Sequence, residues 1–238
     1  MNFLYKIKFM KIKFSSIIFG LTILIIIIST NYSYADHYKN FKKIEMNVYR
    51  NGEIIGFSNY KFINNGNILE VLNTTEFKVI VLGVKLFSIK SASKEIYEND
   101  QLIEFNSKTL QNKKSKFVNL DLIDNEFLID GSSFKGKVPK DYILGTWWNH
   151  SIVEAKAQIS AVSGRIIEQN VTFLGKETLE INGNQYKTLH FNFSSSDPKL
   201  KKDKKLNTDV WYDEKTLSWV KASFNKKGYW EYKLVSMK

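Results

Sequence analysis

Cysteine is absent from the 238-residue sequence, and proline and histidine are scarce, with two and three residues. The absence of cysteine excludes a disulfide scaffold, a cysteine-based zinc site, thiol catalysis and a cysteine-linked lipid anchor. With so little proline and only 12 glycines, the chain is neither collagen-like nor of low complexity. The remaining composition, 43% hydrophobic and 25% charged, is that of a folded globular protein.

The long apolar run of the sequence lies near its N-terminus. Four lysines between positions 6 and 13 precede Ile17–Ile28, and a Ser-Tyr-Ala triplet ends at Ala35. This pattern predicts a signal peptide over residues 1–35 that is cleaved before Asp36. The alternative is an uncleaved N-terminal anchor, although the apolar run is shorter than the about 20 residues that a spanning helix needs.

Export through such a signal predicts a periplasmic protein, with residues 36–238 as one domain. Removing the four lysines of the signal, and no acidic residue, lowers the net charge from +11 to +7. A domain of this length can bury about 70% of its unfolded surface and needs no disulfide. A basic exported chain without a nucleic-acid motif does not point to nucleic acid as a partner.

Short alternating runs separated by turn residues dominate the predicted domain. Asn51-Gly52 and Asn182-Gly183 each lie between two such runs, where they favour two-residue hairpin turns. Helix is expected at most in Ser151–Ile159. The sequence therefore predicts an all-β, mainly antiparallel fold: a curved, partly closed meander or half-barrel with at most one or two short helices.

Few residues offer catalytic chemistry, and none lies in a recognisable motif. The three histidines lack the spacing of a zinc site, and no nucleophile elbow or phosphate-binding loop occurs. We therefore assign no catalytic residue, metal or cofactor. The remaining enzyme hypothesis uses Asp141, Tyr142 and His150, and it requires these side chains to converge in one pocket.

A Trp-Trp pair in an irregular stretch is the most concentrated group of unusual residues. One interpretation places the pair at the rim of a barrel, covering a hydrophobic ligand. The alternative interpretation is a plug that closes the core of the sheet. The candidate ligand-binding residues are Tyr142, Trp147, Trp148, Asn149 and His150.

A basic loop provides a second candidate surface. Its lysines could meet anionic lipid headgroups, which would give at most peripheral membrane contact, or they could simply be solvated. The residues are Lys199, Lys201, Lys202, Lys204 and Lys205.

Several short motifs resemble an uncharacterised family of bacterial exported proteins, a domain of unknown function. They comprise the hairpin Val48–Gly56, the Trp147-Trp148-Asn149 triplet, Gly175-x-Glu177, Asn182-Gly183-x-x-Tyr186, and Asp209-x-Trp211-Tyr212-Asp213. Relative to that pattern, Lys199–Lys205 resembles an insertion. The resemblance implies a single-domain periplasmic β protein without an assigned activity, and its architecture is similar to the half-barrels of lipoprotein carriers.

Three hypotheses follow for the function. The first is a periplasmic module that binds a lipid or another apolar molecule on the curved sheet. The second is a non-catalytic structural or interaction protein of the cell envelope, with a protein partner. The third is an enzyme, for which the sequence offers the least support.

Overall fold

A computed structural model of the protein describes residues 41–238, and the predicted signal peptide lies outside this range. Within it, alternating apolar and polar side chains form strands because one side of each strand can be buried while the other meets water. Fifteen strands of residues 41–238 form one sheet. They are β1 (Lys43–Arg50), β2 (Glu53–Asn65), β3 (Ile68–Val81), β4 (Val84–Glu98), β5 (Gln101–Gln111), β6 (Lys114–Ile123), β7 (Glu126–Gly131), β8 (Lys135–Pro139), β9 (Ile143–Leu144), β10 (Ala157–Ile159), β11 (Ile166–Ile181), β12 (Asn184–Ser195), β13 (Asn207–Asp213), β14 (Trp219–Asn225) and β15 (Tyr229–Met237).

The sheet consists of two meanders that meet where the first strand, β1, pairs with the last strand, β15. Strands β1 to β8 pair in sequence order, as do β9 to β15, and β1 pairs with β15. In the described residues, β9 and β10 are parallel and every other neighbouring pair is antiparallel. The prediction of an all-β, mainly antiparallel fold is confirmed.

The two edge strands of this open sheet lie close together. Only residues 140–142 connect β8 to β9, and each residue spans at most about 3.5 Å. The backbone N–H of Ser133, before β8, also donates a hydrogen bond to the Ser163 carbonyl, before β11, at 2.8 Å. The sheet therefore curves until its edges approach, without closing into a hydrogen-bonded barrel.

Helical structure is confined to two short 3-10 helices in residues 41–238, His150–Val153 and Lys202–Lys204. The segment Ser151–Ile159, which the sequence allowed as a helix, begins in the first of these and ends in β10. No helix of the described chain has the length and apolar character needed to cross a membrane.

The hairpin turns follow the chemistry of their sequences. Asn51 and Gly52 have φ values of 51° and 86°, and Asn182 and Gly183 have 52° and 77°. Asparagine and glycine tolerate this left-handed region, which two-residue turns of this type require at both central positions. Both predicted hairpins are confirmed.

The inward face of the sheet carries two apolar clusters. The main core includes Ile44, Met46 and Trp148, and it spreads over both meanders. The second cluster is smaller and lies towards the turns after β1 and β3. It consists of Val48, Phe77, Val79, Ile89 and Trp230.

A belt of polar side chains lies between these clusters on the inward face. The Ser58 and Thr75 hydroxyls are 2.7 Å apart, and Asn73 donates a hydrogen bond to Ser58 at 3.2 Å. On the next strands, the Ser91 and Thr109 hydroxyls are 2.7 Å apart. Because these groups satisfy one another, the polar belt can be buried and can separate the clusters.

Gly56 makes room for the second cluster. It pairs with Val48 on β1 and with Phe77 on β3. A Cβ atom at this position would lie 2.0 Å from the Glu76 carbonyl oxygen and 2.5 Å from the Phe77 Cβ. The close approach of β2 and β3 beneath the cluster therefore requires glycine.

We predict that Gly56→Ala destabilises the protein by about 3 kcal/mol or more, because the backbone must move to accept the methyl group. Urea unfolding measures the change. Gly52→Ala is the control. The added methyl group would meet no atom within 4 Å, but Gly52 has a φ of 86°, so we expect a loss of stability of about 1–2 kcal/mol. Equal unfolding midpoints for the two variants would contradict the steric argument.

Candidate functional site

The segment from β9 to the first 3-10 helix fills the interior of the curved sheet. Trp148 is only 2% exposed and lies in the main core. Its ring packs edge-on against Phe62 and Tyr97, with ring centroids 5.3 and 5.6 Å away. Trp148 thus anchors this Trp segment, residues 143–150, to strands of the first meander.

Trp147 contacts the second meander. Its ring centroid lies 5.5 Å from that of Trp219 and 5.3 Å from that of Tyr232, both in edge-on geometry. Tyr60 completes this aromatic group through an edge contact with Trp219 at 6.2 Å. The two tryptophans therefore bridge the two halves of the interior.

A carboxyl group lies at the centre of this interior. Glu95 on β4 is fully buried and accepts hydrogen bonds from the Tyr97 hydroxyl at 2.7 Å and the Trp148 indole at 3.1 Å. Burial away from water raises the pKa of Glu95 to about 7, and the two hydrogen bonds oppose this rise. Burial together with the nearby Glu95 charge also raises the pKa values of Tyr60 and Tyr97.

The predicted ligand-binding residues are divided between two places. Trp148 and His150 are buried, and His150 packs against Tyr212 with ring centroids 4.6 Å apart. Tyr142 and Asn149 line a cleft of about 310 Å³ at the outer side of the Trp segment. Their role in ligand binding stays a prediction.

The side chains of the enzyme hypothesis do not converge. Asp141 and Tyr142 line the cleft at the outer side of the Trp segment. His150 instead faces the interior and packs against Tyr212 and Phe191. Among residues 41–238, no group of histidine and acidic side chains has an arrangement that would hold a metal ion.

A histidine lies within a ladder of side chains across β11 to β14. His190 stacks on Trp211, with ring centroids 4.1 Å apart, and its Nδ1 is 3.1 Å from a Glu177 oxygen. On the next strand, β14, the Lys221 ammonium lies 4.6 Å from the centroid of the Trp211 ring. These are cross-strand neighbours, and such pairs stabilise a sheet.

A second cleft, larger than the one beside the Trp segment, lies over the second cluster, and we call it the Trp230 cleft. Its volume is about 810 Å³, within the range of about 300–1,000 Å³ that is typical of small-molecule sites. Trp230 forms the floor with Phe77 and Phe87, whose ring centroids are 5.6 and 6.3 Å away. Phe224 stacks on the same indole at 5.8 Å.

Cationic side chains surround this aromatic floor. The Arg50 guanidinium lies 5.9 Å from the Trp230 ring centroid, and Lys204, Lys226 and Lys227 line the same cleft. Lys116 lies nearby, and burial together with the charges of Lys204 and other cations lowers its pKa. A single acidic side chain, Asp203, lines the cleft in this described part of the chain.

The charge of the turns differs between the two ends of the sheet. In an antiparallel order, the connections after β1, β3, β5, β12 and β14 lie at one end. This basic end carries Lys85, Lys113, Lys226, Lys227 and the loop Lys199–Lys205. The connections at the opposite end carry Glu98, Asp100, Asp124, Asp213 and Glu214, with Lys215 among them.

The predicted basic loop contributes to the cleft at one position. The Lys204 side chain lines the rim, and its carbonyl accepts a hydrogen bond from Arg165 at 3.1 Å. The other predicted lysines share the loop at the basic end, where Lys199, Lys201, Lys202 and Lys205 are exposed. Their contact with a membrane surface stays a prediction.

Two features of these sites escaped the sequence patterns. Glu95 shares the inward face of β4 with Ile89 and Tyr97, and a carboxylate in such an alternation is a signal of a buried acid. Arg50 and Trp230 are 180 positions apart in the chain and meet only because β1 pairs with β15. A sequence pattern within one strand contains no signal of that contact.

These features define the protein as an all-β, barrel-like molecule built on one curved sheet with a tryptophan-filled interior. Residues 46–235 match the family DUF6134, described as a domain of unknown function, and the chain belongs to this family. The resemblance to an uncharacterised family of β proteins is thereby confirmed. No curated protein matches the sequence.

A solved structure shows a similar fold, and two others align over most of the chain with lower scores. A β-barrel-like protein of the family DUF1849 from Brucella abortus has a TM-score of 0.54 at 10% identity, over 82% of this chain and 95% of that one. A protein with a YmcC-like fold from Bacteroides fragilis has a TM-score of 0.33 at 12% identity, over 82% and 94%. A DUF1329 protein from Desulfovibrio piger has 0.25 at 10%, over 85% and 88%.

We predict that Glu95→Gln removes a pH dependence of stability. Because the folded-state pKa of Glu95 is about 7 against an ordinary 4.5, the folded protein binds its proton more tightly than the unfolded chain does. The resulting stabilisation is complete below pH 4.5 and is lost as pH rises through 7. The free energy of unfolding of the variant, relative to that of wild type, should therefore increase by up to about 3 kcal/mol between pH 4 and pH 9.

Urea unfolding at a series of pH values measures this difference. Glutamine has the shape of glutamate, and its oxygen can still accept the Trp148 hydrogen bond while its amide donates to the Tyr97 hydroxyl. Glu98→Gln, an exposed substitution on the same strand, is the control for removing a carboxylate. Parallel pH profiles for wild type and Glu95→Gln would contradict the assignment.

Proposed function

We propose that the protein is an exported binding module that holds an anionic amphiphile in the Trp230 cleft. One observation carries the proposal: an aromatic floor lies directly beneath a cationic rim in a single opening. An acyl or other apolar tail would cover Trp230 and its phenylalanine neighbours. The anionic head would then lie among Lys204, Lys226 and Lys227.

The interior supports this location for the ligand. The main core is already filled by the Trp segment, whereas the second cluster lies beneath the open cleft. The polar belt with Ser58 and Thr109 separates these two regions. A tail in the cleft would therefore gain apolar burial without displacing Trp147 or Trp148.

The charge distribution supports an anionic head. Lysine side chains at the rim attract a carboxylate or phosphate directly and also through the positive potential of the basic end. The lowered pKa of Lys116, caused by burial and by cations such as Lys204, is a sign of the same repulsion among positive charges. A bound anion would relieve this repulsion.

We predict that decanoate binds more tightly than decanol. The double variant Lys204→Gln/Lys226→Gln should weaken decanoate binding by about tenfold, which corresponds to 1.4 kcal/mol. Loss of two rim charges should leave decanol binding nearly unchanged. Isothermal titration calorimetry measures both ligands. Lys187→Gln/Lys215→Gln removes two exposed charges at the opposite end of the sheet and should have no effect.

Failure of wild type to bind either ligand would remove the carrier proposal. Equal binding of decanoate by wild type and the rim variant would remove the proposed role of the lysines. Native mass spectrometry of protein purified from its own cells, followed by solvent extraction, then identifies the natural ligand of the cleft.

Export is the other part of the proposal, and it is supported by the signal pattern over residues 1–35. We predict that the purified protein begins at Asp36, which intact-mass measurement detects. Ala35→Tyr places a large side chain at the cleavage position and should leave the signal attached. The matched variant Tyr34→Ala keeps small residues at both required positions and should be processed normally.

A wild-type mass that retains residues 1–35 would contradict cleavage and support the uncleaved anchor instead. Processing of Ala35→Tyr at the wild-type position would contradict the assigned cleavage site.

A further inference from the structure

The hairpin between β3 and β4 has an unusual turn. Leu82 and Gly83 occupy its two central positions, with φ values of 49° and 75°. Asparagine occupies the same first position in the turns at Asn51 and Asn182. Leucine is disfavoured here for two reasons. The left-handed backbone strains a residue with a Cβ atom, and the hairpin tip exposes an apolar side chain to water.

The apolar character extends along both strands of this hairpin. Leu82 is 98% exposed, and its neighbours on both strands are also widely exposed, so the hairpin tip carries apolar side chains on both of its faces. Lys85 is the single charged residue between positions 79 and 87. Exposed apolar patches of this kind mark interaction sites. The patch comprises Ile80 at 60%, Val81 at 41%, Val84 at 60% and Leu86 at 55%, together with Leu82.

Cations lie beside the hairpin tip. Leu86, at the end of the tip, and the following Phe87 line the Trp230 cleft together with Lys226 and Lys227. The tip therefore projects from the basic end of the sheet, where the β12–β13 loop adds further lysines. An apolar projection within a basic collar matches a surface that is negatively charged outside and apolar beneath.

We infer that the β3–β4 hairpin tip, Ile80–Leu86, docks into the surface of an anionic lipid bilayer. Leu82 enters the boundary between headgroups and acyl chains, and the lysines of the basic end lie against the headgroups. A hairpin tip of exposed apolar side chains with cations beside it favours an anionic bilayer over a protein groove as the occupant. The inference goes beyond the proposed ligand and does not require one.

Docking in this way also gives the cleft a defined position. Because Leu86 belongs both to the tip and to the lining of the Trp230 cleft, the mouth of the cleft comes to lie at the lipid surface. An amphiphile could then pass between bilayer and cleft without crossing water with its tail exposed.

The absence of native cysteine permits a direct test on the full chain. Leu82→Cys carries a single thiol for an environment-sensitive fluorophore, as does the control Leu174→Cys on β11, where the native leucine is 53% exposed. The probes are vesicles of phosphatidylcholine with and without phosphatidylglycerol. We expect a blue shift and protection from iodide quenching at position 82 with the anionic vesicles, and an aqueous signal at position 174.

The role of charge is tested in the same labelled protein. Adding Lys226→Gln and Lys227→Gln should raise the vesicle concentration for half-maximal shift by about fivefold per lysine. Added salt should act in the same direction because it screens the attraction. An unchanged half-maximal concentration would overturn the basic collar as part of the docking surface.

Two outcomes would overturn docking by the tip. The first is an aqueous signal at position 82 with both vesicle types. The second is an equal response at positions 82 and 174, which would indicate attachment through another part of the chain. Decanoate titration in the absence of vesicles is read separately, so loss of tip insertion is distinguishable from loss of ligand binding.

Discussion

The hydrogen-bonded pairing of β1 with β15 is the contact on which the rest of the structure depends. It joins two meanders into one sheet and gives them a common inward face. Trp148 packs against Phe62 from the first meander, whereas Trp147 packs against Trp219 from the second. The Trp segment is buried only because both halves surround it. The Trp230 cleft has the same origin, since Arg50 and Trp230 come from the two paired strands.

The inward face combines a filled region and an open region, and the polar belt explains how they coexist. Paired hydroxyls such as Ser58 and Thr75 can be buried at little cost because each satisfies the other. They also prevent the main core from growing continuously into the second cluster. The filled region holds the main core, and the smaller cluster lies beneath the open cleft. In the proposed function, binding and stability would therefore depend on different residues of one face.

The fold was largely predictable because its determinants are local. Alternation in β1 and the Asn-Gly pairs at 51–52 and 182–183 specify strands and turns from neighbouring residues alone. The candidate sites depend on contacts between distant strands. The alternation on β4 signals that Glu95 is buried, but its contact with the remote Trp148 is not contained in any local pattern. The tryptophan pair was recognised as unusual, but its burial depends on the curvature of the whole sheet.

The position of β1 and β15 in the sheet also determines the order in which the chain can fold. Glu45 and Ser236 form a side-chain hydrogen bond across 191 residues of sequence. Strand β1 emerges from a ribosome long before its partner β15 does. Contacts of such sequence separation form slowly because the whole intervening chain must be ordered. The main core can therefore be completed only after β15 has been synthesised, so the chain stays incompletely folded until then.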